Sequence, residues 1–155
     1  MRRSRSSRSF PPRLRPSNGV SESTSAEATT PYDQFGGADA VRALVDRFYD
    51  LMDSDPAYAG IRSLHAASLS GSREKLHLFL CGWLGGPPLY VERYGHPRLR
   101  ARHLPFPIGV SERDQWLSCM KCALAEADID DALRRHLEGA FARTADHMRN
   151  ADIEG

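Results

Sequence analysis

Gly95 to Gly109 reads GHPRLRARHLPFPIG, and Trp116 follows seven residues later within Ser111 to Met120, SERDQWLSCM. Pro97 suits the first turn of a helix, whereas Pro105 and Pro107 forbid its continuation because proline lacks an amide hydrogen and its ring collides with the preceding turn. The stretch therefore predicts a short helical segment that ends on His103. An imidazole at such a corner is held in one place.

Outward from this corner the periodicity is helical from Gly37 onward, with no convincing alternating strand. In ADAVRALVDRFYDLMD (38–53) the residues Val41, Leu44, Val45, Phe48, Tyr49 and Met52 recur at three- and four-residue steps, so Tyr49 lies on a broad apolar face. Asp53 to Pro56 breaks that helix, and Tyr58, Ile61 and Leu64 suggest a short continuation before His65. Ser70 or Ser72 is the expected cap of the next helix, with Leu76, Phe79, Leu80 and Trp83 on one side until Gly85 and Gly86. Ser111 with Asp114 approximates a capping box for a helix carrying Trp116, Met120, Ala123, Leu124 and Ala127. Asp130 starts the last helix, where Leu133, Leu137, Phe141 and Met148 are spaced for burial. Four substantial helices and two shorter pieces are expected, an order that also fits a generic four-helix bundle.

A chain of 155 residues with 41% hydrophobic content holds one domain and a core able to enclose a cofactor. No apolar run approaches the roughly 20 residues of a membrane span, so a soluble protein without a membrane partner is expected. The net charge of +1 hides an asymmetry: Arg2, Arg3, Arg5, Arg8, Arg13 and Arg15 precede the first acidic residue, Glu22, and without them 15 basic residues face 20 acidic ones. A basic tail thus precedes an acidic body. Residues 1 to 30, rich in Arg, Ser, Thr and Pro, read as a disordered extension, with one folded domain over 31 to 155. No apolar segment follows Arg2 and Arg3 as an export signal requires. A solvated tail is expected rather than a polyanion-binding arm, so nucleic acid is not an expected partner. Cys81, Cys119 and Cys122 are an odd set within apolar stretches, which suits free thiols in a reducing, cytoplasmic setting. Cys119 and Cys122 form a CxxC whose thiols share a helix face, but no second cysteine pair accompanies it and no histidine follows Cys122.

GWLGGPPLYVERYGHPRLRARHLPFPIG (82–109) and RDQWLSCM (113–120), with the paired glycines Gly36-Gly37 and Gly85-Gly86-Pro87, resemble the truncated haemoglobins of the second group, over about Pro31 to Met148. The resemblance implies an all-α fold, a two-over-two helical sandwich enclosing haem b, with His103 as the iron ligand. Five other histidines compete for that role on chemistry alone. His96 precedes Pro97 and suits an N-cap, His136 and His147 sit in a charged helix, and His77 is expected to face outward.

On the distal side the resemblance implies that Tyr49 and Trp116 donate hydrogen bonds to the ligand, and an indole N–H can only donate. His65 is expected at the haem edge, with Leu64 as the competitor for that place. Ser72 falls where other globins carry a distal histidine or glutamine, leaving more room for the ligand. Lys75 resembles the family's propionate partner, and Arg102 is a second candidate. Leu76, Phe79, Leu80, Leu99, Phe106 and Met120 are the expected walls. The implied function is binding of dioxygen or another diatomic gas, the alternative being a redox enzyme for nitric oxide dioxygenation or peroxide reduction. No segment reads as a flavin or nicotinamide domain, so any reductase is an external partner. A monomer or homodimer is expected.

Overall fold

The computed structural model describes residues 29–151, so the reading of residues 1 to 30 as a disordered tail lies outside the described residues apart from Thr29 and Thr30. Among the described residues all regular structure is helical. The long helices are α2 (Ala38–Ser54), α4 (Ser70–Trp83), α7 (Val110–Ala125) and α8 (Asp131–His147). The short ones are α1 (Pro31–Phe35), α3 (Ala59–Arg62) after a 3-10 turn at Pro56–Tyr58, α5 (Leu89–Tyr94) and α6 (Leu99–His103). Helix α2 packs on both α4 and α7, and α7 packs on α8, forming a two-over-two sandwich. Short α5, less than two turns long, gives no periodic signal of its own.

The core forms where the apolar stripe of α2 meets α4 and α7. Val41, Val45 and Phe48 have no exposed surface, and Leu80, Cys81, Met120 and Leu124 close over them. Burying each large apolar side chain contributes roughly 1.5–3 kcal/mol. On the outside of the α2–α4 contact, Arg73 reaches Asp50 at 2.8 Å and Asp46 at 3.2 Å, while Arg42 meets Glu74 at 3.1 Å. Such exposed pairs contribute about 0–1 kcal/mol each and set alignment more than stability.

Helix ends follow local hydrogen bonding, and here several expectations are corrected. Neither Ser70 nor Ser72 caps α4; the cap residue is Leu69, and the Ser68 hydroxyl accepts the Ser70 N–H at 3.3 Å. Helix α7 begins before Ser111, at Val110, where the Glu112 carboxylate accepts the Gly109 N–H at 2.8 Å. Asp130 does cap α8, its carboxylate accepting the Leu133 N–H at 2.8 Å. Pro97 lies outside α6 because Arg98, the cap residue, takes the left-handed conformation, φ 48° and ψ 54°. That conformation costs a residue with a Cβ on the order of 1 kcal/mol. His96 is therefore not the cap, although its Nδ1 accepts the Arg98 N–H at 3.1 Å.

His77 is also corrected: it is 7% exposed and faces α2, where its Nε2–H donates to the Ala38 carbonyl at 3.1 Å. The CxxC cysteines on α7 differ in environment, Cys119 being buried and Cys122 exposed. The Cys119 thiol donates to the Phe48 carbonyl at 3.2 Å, and burial pushes its pKa up to about 12.

After α4 the chain turns so tightly that Gly86 lies under the Tyr32 ring, with its N–H on the Cys81 carbonyl at 2.8 Å. A Cβ at Gly86 would stand 2.5 Å from Tyr32 Cγ. Gly86→Ala is expected to lower unfolding free energy by about 1–3 kcal/mol in urea titrations, because the ring must move. Gly71 on α4 has nothing within 4 Å of such a Cβ. Gly71→Ala is expected to leave stability unchanged or raise it by up to about 1 kcal/mol.

Candidate functional site

A cavity of about 560 Å3 opens between α2, α4, α6, α7 and α8. That size falls in the range of about 300–1,000 Å3 usual for cofactor and ligand sites. Leu76, Phe79 and Leu80 from α4, with Leu99 and Phe106 from the α6 corner, line it as expected. Met120 does not: one turn beyond Trp116 on α7, it packs into the core below the cavity lining.

His103, the last residue of α6, lines the cavity. Its Nδ1 stands 2.6 Å from the Leu99 carbonyl, one turn back. A carbonyl only accepts, so Nδ1 carries a proton, and the neutral tautomer compatible with this bond has its lone pair on Nε2. The corner itself is tied down from a distance. The Asn150 carboxamide donates to the His103 carbonyl at 3.2 Å and accepts the Ile108 N–H at 3.0 Å, while Arg100 donates to the His147 and Arg149 carbonyls at 2.8 and 2.9 Å. These contacts fix α6 against the end of α8. Asn150 and Arg100 escape sequence reading because their partners lie more than 40 positions away.

Tyr49 comes from the buried face of α2, is 5% exposed, and faces the same cavity as Ser72. Burial holds its phenolic pKa well above the ordinary tyrosine value, and nearby Arg73 offsets this only in part. The hydroxyl therefore keeps its proton and remains a donor. Trp116 lines the cavity from α7, set at 5.2 Å from Phe48 and 5.6 Å from Phe141 between ring centroids. Phe141 in turn stacks on Trp83 at 4.7 Å, and Trp83 lines the same cavity.

His65 and Leu64 both line the cavity, so the two candidates for that edge share it. The His65 ring meets Tyr49 edge-to-face at 5.7 Å, and its Nδ1 donates to the Ile61 carbonyl at 2.8 Å. Burial lowers its pKa, which keeps the ring neutral with Nε2 an acceptor. Lys75 and Arg102 reach the cavity rim, over the rings of Tyr94 at 5.7 Å and Tyr90 at 5.8 Å. Arg102 Nε also donates to the Pro97 carbonyl at 2.6 Å. His136 and His147 are exposed on α8, outside the cavity.

Comparison with known proteins agrees with this geometry. The family model for bacterial-like globins matches residues 30–150. A group 2 truncated haemoglobin of Bacillus subtilis, YjbI, is 42% identical over 120 residues, covering 77% of this chain and 88% of its own. Among solved structures, the group II two-on-two haemoglobin of Agrobacterium tumefaciens is 47% identical with a TM-score of 0.80, covering 83% of this chain and all of that one. A truncated oxygen-avid haemoglobin of B. subtilis is 42% identical with a TM-score of 0.72, covering 79% of this chain and 100% of that one. With a sequence match across the whole helical domain and a two-over-two fold built around an apolar cavity, the chain belongs to the bacterial-like globins, as a group II truncated haemoglobin whose cofactor is haem b.

Proposed function

We propose that this protein binds dioxygen, and other diatomic gases, at a haem iron held by His103, with Tyr49 and Trp116 donating hydrogen bonds to the ligand. The observation that carries the reading is the fixed tautomer of His103: its Nδ1–H is committed to Leu99 at 2.6 Å, and no described residue bonds to Nε2. That is the donor set an iron porphyrin needs, a neutral imidazole oriented by its second nitrogen. The aliphatic and aromatic walls suit a flat apolar ring, and Phe106, 41% exposed on the cavity's open side, is a surface that such a ring would cover. Lys75 and Arg102 at the rim would pair with propionates, each exposed pair contributing about 0–1 kcal/mol.

When bound, haem supplies an iron with one coordination position for a gas and the capacity to change its charge by one electron. The distal residues decide what is held there. Tyr49 stays protonated through burial, and Ser72 on the same cavity wall takes up little space. Trp116 lines the cavity and offers an indole N–H that donates to no described residue. Two donors on a largely apolar cavity wall favour a ligand that develops negative charge, and they slow its release. His65 does not add a third donor, because its proton lies on the nitrogen facing Ile61. Slow release suits scavenging or redox work better than bulk carriage, and the relative described as oxygen-avid is consistent with this.

A redox role for the same site is the second reading, favoured by two oxidisable side chains, Tyr49 and Trp116, on the cavity wall. It requires an external reductase. The reading also takes residues 1–30 as an extension to a globin domain over 31–155, working in a reducing cytoplasm where Cys81, Cys119 and Cys122 remain thiols.

The purified protein is expected to show a Soret band that His103→Ala abolishes; an unchanged band in that variant overturns the assignment. Stopped-flow measurement of dioxygen release should accelerate by about 5- to 30-fold in Tyr49→Phe and in Trp116→Phe, the equivalent of one lost hydrogen bond of about 1–2 kcal/mol. Sustained nitric oxide or peroxide consumption with a reductase supports the redox reading, and stoichiometric binding without turnover removes it.

His65 also makes stability depend on pH. Its folded pKa is lowered by burial, so between that value and the ordinary one of about 6.5 the unfolded chain binds more protons. Its contribution is present above about pH 6.5 and is lost as pH falls through the folded pKa. Thermal midpoints of His65→Phe should therefore decline less steeply than wild type between about pH 7 and pH 5, and parallel slopes would remove His65 as the cause.

A further inference from the structure

Beside the cavity lies an open groove of about 600 Å3. Phe79, Trp83, Leu99, Thr144 and Met148 line both, so a single layer of side chains separates the groove from the cofactor site. Arg98, Arg100 and Arg143 form its rim with His96 and His147, and no carboxylate lines it. In a chain whose body is acidic once the six leading arginines are set aside, this is a concentration of positive charge out of keeping with composition. The guanidinium groups of Arg98 and Arg143 have no ion-pair or hydrogen-bond partner among the described residues. Arg98 is moreover held at φ 48°, where glycine would sit without strain. Exposed charge kept unpaired on a strained backbone is characteristic of a working surface. An apolar floor ringed by arginine is also the make-up of protein interfaces.

We propose that this groove is the docking surface for a small acidic one-electron carrier protein, which returns the haem iron to the ferrous state. The proposal rests on the haem reading above. Gas binding requires ferrous iron, and iron that has lost an electron must be given one back. In that step the carrier loses one electron, ferric iron becomes ferrous, and no bond forms or breaks. Carboxylates around the carrier's redox group would meet Arg98, Arg100 and Arg143, bringing that group against the shared wall at Trp83 and Leu99. The Arg-rich leading segment of the chain carries the wrong sign to occupy the groove.

The test uses the full-length, haem-loaded protein and flavodoxin in its hydroquinone form, which becomes semiquinone as it gives up the electron. Arg98→Glu/Arg143→Glu is expected to slow conversion of the ferric to the ferrous spectrum at least about tenfold at about 0.01 M ionic strength. The difference should vanish near 1 M salt, where charges act over only about 3 Å. Reduction by dithionite should be unchanged, and Lys121→Glu, an exposed reversal on α7 outside the groove, should behave as wild type. Fluorescence anisotropy of labelled flavodoxin should report weaker binding to the double variant and to Arg98→Gly, although Arg98→Gly relieves backbone strain and should be at least as stable as wild type. Equal rates and equal binding for the double variant and Lys121→Glu overturn the docking site while an intact Soret band leaves the haem reading standing. A wild-type protein that shows no Soret band overturns both. Sedimentation showing a homodimer that the double variant dissociates assigns the groove to a second copy and likewise overturns the proposal.

Discussion

The hydrogen bond from His103 Nδ1 to the Leu99 carbonyl, 2.6 Å long, fixes which nitrogen of the ring is free. It exists because α6 is a single turn, which brings residue 103 above the carbonyl four positions earlier. Pro105 and Pro107 prevent the turn from growing, and Asn150 binds the backbone on either side of them to the end of α8. A longer helix would bury its last carbonyls in its own ladder. A looser one would let the ring rotate. The cavity walls contributed by α4 and α7 thus face a ring that stays put.

Polarity inside the cavity is divided by the same device. Both imidazoles that line it spend their Nδ1 proton on a carbonyl four residues earlier in the chain, Leu99 for His103 and Ile61 for His65. Each therefore presents a lone pair rather than a proton. The donors come instead from groups that cannot lose a proton under ordinary conditions, a phenol raised by burial and an indole. Desolvation thus sharpens the contrast between the two kinds of group.

Much of this was legible in the residues, and the reasons for the gaps are physical. The stripe from Val41 to Met52 repeats over four turns and can only be a buried helix face, which places Tyr49 inside. The prolines after His103 fix the end of α6 without reference to the rest of the chain. Cap residues were less legible, because Ser68 and Glu112 act through the path of the loop before the helix, and the neighbouring serines read equally well. His77 reads as surface by its chemistry, yet α2 crosses α4 on that side and supplies a carbonyl. Met120 and Leu80 share the same apolar spacing and both pack in the core, but the register between helices alone decides that only Leu80 also reaches the cavity. Asn150 has no local signature, since what it joins is brought together only by folding.

The chain contains two tryptophans, and both Trp83 and Trp116 lie on the wall of the cavity, joined through the Phe141 ring. All of the protein's indole emission therefore originates on the wall of the cavity proposed to take the haem. Resonance transfer to a porphyrin at such short range quenches almost completely, so the ultraviolet fluorescence of the unlabelled chain counts vacant sites directly.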